Sequence, residues 1–523
     1  MKQTFLTLPL LLIVTVFSQV SQAPKDTTEV IEQPASPIKD TKPDSEIYEQ
    51  NIQQDVLQAT SQQIQKPKPK NIAIVGAGAG GSSAAYYLKK YAGHNVNITI
   101  FEQNDHVGGR STTLKLDGHS IELGASIFVK DNVILYNALD EFNLFTTADH
   151  DDEDGHGDVD DDDGLGIWNG TAFEYIAFKK SKIPYAGLIK FLLHFGPRGV
   201  LKTERVRQKA VNDLRLFYDD DVNFPFEDVQ FSDLLLSHIN ETGSELLDSV
   251  PVSSEYKSFI QAALRGIYAQ TLDQIHGLGT LVGLSTSGAI SVYGGNFRIF
   301  EKWIEFAEAD LKLSTSVKTI SKLSDGKYDV TFKTGSAGTE SKEEFDYVVI
   351  AAPLGQSNVT INNVTVAQEY YETEYVPLWV SVFKSKNRLS ESAYFNNEET
   401  PQTVLASSPN SPFNSIFEIY YNETTSEYIY KTHSLSPLEP GFIYSVFGET
   451  SYKFEQKWLA YPYLKPSDGE LIKFELDQDA GLWYLSPFES FISTMETQAL
   501  AAASIAGLIS SNGGFNVTRV SVP

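Results

Sequence analysis

The hydrophobic pattern divides the chain abruptly. Residues 24–70 are polar, proline-containing and without period, the composition of a disordered linker or propeptide. At Asn71 apolar residues run together in "NIAIVGAG", the pattern of a short buried strand closed by glycine. "SAAYYLKKY" then carries helical character, and "NITIFEQ" is a second short apolar run ending on Glu102. Strand, glycine turn, helix and strand in that order predict a βαβ unit.

Residues 175–285 hold helical stretches such as "VRQKAVNDLRLFY" and "EYKSFIQAALRGIYAQ". Residues 313–350 return to β. "SVKTISKL" and "KYDVTFKT" flank "SDG", an Asp-Gly hairpin signal, and "FDYVVIAAP" is another buried strand. A second strand-rich region starts at "VPLWVSVF" and runs through "NSIFEIYY" and "GFIYSVFGE". "GLWYLS" reads as a strand. "STMETQALAAASIAGLI" reads as a helix with Ser493 or Thr494 as N-cap and Glu496 near N3. Nucleotide-domain material thus recurs at the start, middle and end. The prediction is an α/β chain of two interleaved domains. A Rossmann-like domain is assembled from residues 71–130, 286–360 and 476–510. A substrate domain takes the helical region 131–285 and the sheet region 361–475, and a tail covers 511–523.

The glycine turn supplies candidate chemistry. Gly76, Gly78 and Gly81 form a G-x-G-x-x-G, with Ala77, Ala79 and Gly80 between them. Such a turn lets backbone approach a pyrophosphate, which then rests on the helix N-terminus where free N–H groups and the dipole favour anions. Glu102 ends the next strand, the place from which a carboxylate accepts a ribose hydroxyl; its charge also argues against a 2′-phosphate. Gly108, Gly109 and Arg110 follow closely. They resemble the second fingerprint of the amine-oxidase-like flavoproteins, which favours FAD over NAD. Paired glycines allow a second close backbone approach, and Arg110 can offer charge to phosphate or to the flavin edge. Gly124, Ala125 and Ser126 make a small-residue turn where the isoalloxazine would lie. In that superfamily the strand at Val317 would meet adenine through its backbone, and the strand ending near Pro353 would lie beside the dinucleotide. The helix opening at Met495 and Glu496 would face the flavin pyrimidine with its N–H groups.

Composition and charge narrow the partners. The net charge of -27 repels phosphate backbones and anionic membrane surfaces, so nucleic acid is not expected. Residues 1–23 have the form of an export signal: Lys2, an apolar run too short to span a bilayer, and the small residues "SQA". No later stretch is apolar enough to predict a membrane span. Asn-x-Ser/Thr sequons stand at Asn97, Asn169, Asn240, Asn358, Asn363, Asn422 and Asn516, of which Asn97 and Asn358 lie close to predicted strands. The expected route is secretory, ending outside the cell or in a lysosome or vacuole. Cysteine is absent, which excludes disulfides, cysteine nucleophiles and cysteine-linked flavin. The nine histidines show no metal-binding spacing. The acidic run 149–163 does not fit a calcium loop and reads as a solvated, self-repelling segment.

Several segments together resemble the prenylcysteine oxidase (prenylcysteine lyase) family. "LRGIYAQTLDQIHGLGTLVGL" carries Arg265, Tyr268, Gln270, Asp273 and Ile275 at that family's spacing. "ISVYGGNFRIF" carries Gly294, Gly295 and Asn296, "WLAYPYLKP" matches a W-x-x-Y-P stretch, and the closing segment includes Met495 and Glu496. The similarity spans roughly residues 71–510. Departures are Val129 and Lys130, where the family carries His and Pro, and Ile267 and Ala269, where it carries Asn and Gly. The resemblance implies noncovalent FAD and oxidation of a small apolar thioether, a farnesyl- or geranylgeranyl-cysteine. Hydride would pass to flavin N5, water would add, and cysteine and a prenyl aldehyde would leave while O2 became H2O2. Tyr268 and Gln270 are the candidates for the substrate side. Two other readings stay open. One is a secreted amine or amino-acid oxidase on the same frame, with Trp483 and Tyr484 as aromatic holders. The other is a glycoprotein that keeps the fold without turnover.

Overall fold

The structure is a computed structural model. It describes residues 68–151, 164–178, 186–218, 224–226, 228–396, 400–469, 472–477 and 481–513. The expected export signal, most of the linker, most of the acidic run, the sequon at Asn516 and the tail from 514 lie outside them.

One half is built on a five-stranded parallel sheet. Its order is Leu482–Tyr484, Tyr347–Ile350, Lys70–Val75, Val96–Phe101 and Asp310–Lys312. Strands of a parallel sheet are covered on both faces and read as unbroken apolar runs, and Ile72, Ala73 and Ile74 are wholly buried. The sheet joins the start, middle and end of the chain. The helix Ala79–Ala92 packs on it beside Phe297–Ala307 and Met495–Asn512. The last of these is buried on nearly every side, as expected of a helix that is apolar all round. Thr315–Lys322 and Tyr328–Thr334 pair as the expected hairpin, with Gly326 at φ 88° in its turn.

The other half is a seven-stranded sheet in the order Thr450–Pro462, Tyr375–Ser385, Glu427–Ser434, Ser415–Asn422, Thr403–Ala406, Gly164–Trp168, Phe173–Phe178. The helices Ala186–Phe195 and Ser254–Ile267 share an apolar core with it. Two details differ from the sequence pattern. The region read as helical supplies two strands, Gly164–Trp168 and Phe173–Phe178, and Gly164–Trp168 pairs in parallel with Thr403–Ala406 from far along the chain. "GFIYSVFGE", read as strand, lies mostly in the helix Pro440–Phe447, which has Pro at its first position and ends at Gly448 with φ 67°. Its apolar density suits either state, and the proline start and glycine stop decide for the helix.

Candidate functional site

The glycine turn is shaped by sterics at each glycine. Gly76 has φ 106° and donates to the Phe101 carbonyl at 2.8 Å. A methyl on Gly81 would collide with the Gly76 carbonyl, so only glycine lets the helix start this close to the strand. A methyl on Gly78 would meet only ordinary neighbours, Gly108 O at 3.7 Å and Gly109 Cα at 3.8 Å. Gly78 has no steric need of its own to be glycine; the space above it is what a pyrophosphate requires. It caps the 14-residue helix Ala79–Ala92, whose first turn bears no acidic residue. The tip is therefore a positive, sterically open cradle of the kind that holds a dinucleotide pyrophosphate.

Glu102 sits buried at the end of the neighbouring strand. Its Oε2 accepts the Ala77 N–H at 2.8 Å, and its Oε1 accepts the Asn104 N–H and amide at 2.8 Å. These donors fix the carboxylate at the strand end, and one of them pins the glycine turn. The Thr315 N–H donates to the Glu102 carbonyl, which brings Val317, buried two residues on, to the same end of the sheet. Ala351 donates to Val75 at 2.9 Å and packs against Gly76, so Pro353 follows close beside the turn and caps the helix Leu354–Ser357.

Gly108 and Gly109 dock onto this turn. The Gly108 N–H donates to the Ala77 carbonyl at 3.0 Å, and both glycines have positive φ, 133° and 59°. The Arg110 guanidinium pairs with buried Glu489, donates to the Ala460 carbonyl at 2.6 Å and lies over the Tyr375 ring. Its charge is satisfied inside the protein, where it ties the first and third chain segments together. Its backbone shapes the next turn, because Ala125 N–H donates to the Arg110 carbonyl at 3.0 Å and Gly124 packs on that same carbonyl. Asn296 secures the turn from behind. Its amide donates to the Ala125 carbonyl at 2.9 Å, and its N–H reaches Glu122 Oε1 at 2.7 Å. Burial pushes the Glu122 carboxyl up to about 8.

In front of that turn lies a cavity of about 270 Å³. Gly124, Ala125 and Ser126 form one wall and Thr494, Met495 and Glu496 another. Phe217, Val282, Ile267, Tyr268, Phe417, His433, Tyr461 and Phe488 complete a mostly apolar lining. Thr494 caps the last helix through Thr497, so Glu496 occupies the second position and not the capping one. Its carboxylate is committed within the protein, which leaves the expectation for the helix's N–H groups untouched. It accepts from the Ile134 N–H at 2.9 Å, the Leu135 N–H at 3.1 Å and the Tyr218 hydroxyl at 2.9 Å, and burial pushes it up to about 7.

The two candidates for the substrate side part company. Tyr268 lines the cavity, its ring edge-on to Tyr461 at 5.3 Å. Gln270 does not. It is buried and bonds backbone, accepting from Leu464 N–H at 2.9 Å and donating to the Pro462 carbonyl at 3.2 Å. Trp483 and Tyr484 are also elsewhere: both lie in the parallel sheet, where the Tyr484 hydroxyl accepts from the Leu354 N–H. Sequence reasoning missed Phe417 and His433. They come from the neighbouring strands Ser415–Asn422 and Glu427–Ser434, whose sequences carried no site signal. Burial holds the His433 imidazole neutral, down to about 3, with the Ser415 hydroxyl 3.0 Å from Nδ1.

Known proteins resemble this chain in sequence and fold. A family model described as prenylcysteine lyase matches residues 178–519, well over half of the chain, and one described as an NAD(P)-binding Rossmann-like domain matches residues 74–142. Prenylcysteine oxidase 1 of Homo sapiens is 27% identical over 83% of this chain and 87% of its own length. Farnesylcysteine lyase of Arabidopsis thaliana is 26% identical over 85% and 89%. Among solved structures, putrescine oxidase bound to putrescine aligns at TM-score 0.53 and 13% identity, over 84% of this chain and 99% of that one. Cyclohexylamine oxidase from Brevibacterium oxydans aligns at 0.55 and 12%, over 85% and 99%, so the fold is shared. With the prenylcysteine lyase model covering five of the seven strands of the substrate-domain sheet and the closing helix, this chain belongs to the prenylcysteine lyase family.

Proposed function

We propose that this protein is an FAD-dependent oxidase that cleaves S-prenylcysteine. The overall reaction turns the thioether, O2 and water into cysteine, a prenyl aldehyde and H2O2. The carrying observation is that an apolar cavity of about 270 Å³ opens directly onto the Gly124–Ser126 turn and the start of the Met495–Asn512 helix. Relatives whose names state prenylcysteine oxidation and farnesylcysteine cleavage support the same reading.

The chain's own residues divide the work. The cradle at Gly76–Gly81 would hold the FAD pyrophosphate, and Glu102 the adenosine ribose. Gly108, Gly109 and the Gly124–Ser126 turn would leave room for the rest of the group, and the N–H groups at Met495 would face its pyrimidine end. When bound, FAD supplies the two-electron acceptor for hydride leaving the allylic carbon next to sulfur. Phe217, Phe417, Val282 and Phe488 desolvate the prenyl chain and orient it. His433 stays neutral in this wall, so it adds no positive charge against the cation that develops beside sulfur. The protein positions and dries the site, and the cofactor carries the electron chemistry.

The secretory route belongs to the same proposal. It is supported by the apolar stretch at residues 1–23 and by six sequons, Asn97, Asn169, Asn240, Asn358, Asn363 and Asn422, that are exposed or half-exposed. The deciding test is anaerobic mixing of the flavin-loaded protein with farnesylcysteine. Bleaching of the yellow absorbance is expected. A band that persists at saturating substrate, or that bleaches only with amines, sinks the thioether assignment.

A further inference from the structure

Of the residues lining the cavity, only Asp131 and Arg215 fall in the exposed class, so they mark its mouth. Their side chains are 49% and 55% exposed and are joined by one bond of 2.7 Å, Arg215 Nη2 to Asp131 Oδ1. Asp131 precedes the helix Val133–Glu141, and Arg215 follows the helix Pro197–Leu214, so the pair bridges two walls of the entrance. The remaining ionisable groups of the lining are already committed. Glu496 is held by two backbone donors and Tyr218, and His433 is neutral. Among the described residues, that single bond leaves the second Asp131 oxygen and further guanidinium donors open to a ligand.

A free amino acid carries an ammonium and a carboxylate on one carbon. Laid against an Arg–Asp pair, it completes a ring of four alternating charges, with the planar guanidinium suited to take the carboxylate through two bonds. The apolar remainder of the molecule then points into the cavity. We propose that Asp131 and Arg215 clamp the zwitterionic head of the substrate, Arg215 taking the α-carboxylate and Asp131 the α-ammonium. The clamp selects free amino-acid thioethers over blocked or peptide-linked ones. It rests on the reading of an S-alkylated cysteine as substrate.

The test is calorimetric binding under argon to the FAD-loaded protein with its flavin first reduced by dithionite, so that no turnover accompanies binding, using farnesylcysteine, its methyl ester and its N-acetyl derivative. Wild type is expected to bind the free amino acid at least tenfold more tightly than either blocked form, with the preference shrinking at high salt because the pair is half exposed. Arg215→Gln removes only the preference over the ester, and Asp131→Asn only the preference over the N-acetyl form. Equal binding of all three ligands by wild type, or preferences that survive both substitutions, overturns the clamp. Peroxide release by wild type, scored alongside, judges the substrate reading separately. Turnover without head-group preference defeats the clamp alone, and neither binding nor turnover of any of the three defeats both.

Discussion

The α-carbon of Gly81 packs against the carbonyl of Gly76 so closely that no side chain fits between them, whereas Gly78, in the same fingerprint, has ordinary space around it. One glycine serves the fold and the other serves the ligand. Gly81→Ala is expected to destabilise even the flavin-free protein, by about 3 kcal/mol from the forced backbone shift. Gly78→Ala should leave flavin-free stability within about 0.5 kcal/mol of wild type while abolishing flavin retention. Urea unfolding of flavin-free protein and flavin absorbance after gel filtration separate the two effects. Equal loss of stability in both variants would falsify the division.

The Arg110–Glu489 pair makes a second prediction. Glu489 is buried and also accepts from the Tyr375 and Ser493 hydroxyls. Glu489→Met strands a guanidinium whose side chain is 34% exposed, so the cost should fall near the low end for breaking a buried pair, about 3 kcal/mol. Replacing both partners with Met should recover most of that loss. Chemical unfolding of the single and double variants checks it, and a double variant as unstable as the single one would show that the pair's own bonding dominates.

His276 should make stability depend on acid. Its Nδ1 accepts from the Gly279 N–H at 2.9 Å, and burial lowers it from 6.5 to about 4. The unfolded chain binds this proton first as pH falls, so the contribution is complete above pH 6.5 and is lost on descending to pH 4. The full loss is about 3 kcal/mol. His433, down to about 3, acts in the same sense, while Glu122 and Glu496, raised to about 8 and 7, favour the folded state at low pH and lose that contribution as pH rises. His276→Asn keeps a capping acceptor and removes the titration. Its unfolding midpoint should therefore fall less steeply than wild type between pH 6.5 and 4, and parallel curves would refute the assignment.

The cavity wall offers a functional variant. Val282 lines it from the short helix Gly277–Gly283. Val282→Trp should occupy space meant for the prenyl chain and lower kcat/KM for farnesylcysteine by about tenfold or more, with flavin absorbance unchanged. Undiminished turnover would place the prenyl chain elsewhere.

Much of the cofactor frame was legible because its signals are local. The strand at Asn71 and the three glycines lie within about ten residues of one another, Glu102 is bonded to the turn across only 25 residues, and a hairpin turn or a helix cap is likewise written into neighbours. Arg110, Gln270 and Glu496 were legible as marked positions, but their partners were not. Each bonds across more than 190 residues of chain, to Glu489, Leu464 and Ile134, and the polar type of a side chain does not say which way it will face. "GFIYSVFGE" failed for a different reason: apolar density alone does not distinguish a buried helix from a strand.

What the sequence by itself determined is the dinucleotide turn, since the conformations open to glycine and the close strand–helix approach follow from covalent geometry at Gly76 and Gly81. It also carried the interleaved order of the two halves, through three separate buried-strand patterns. Only the tertiary structure decided the substrate side. The cavity is bounded by a turn near Gly124, a helix at Val282, strands at Phe417 and His433 and a helix start at Met495. Segments so distant in the chain meet only after sheet register and helix packing have been settled, because a cavity is a property of the surfaces that surround it and not of any one stretch.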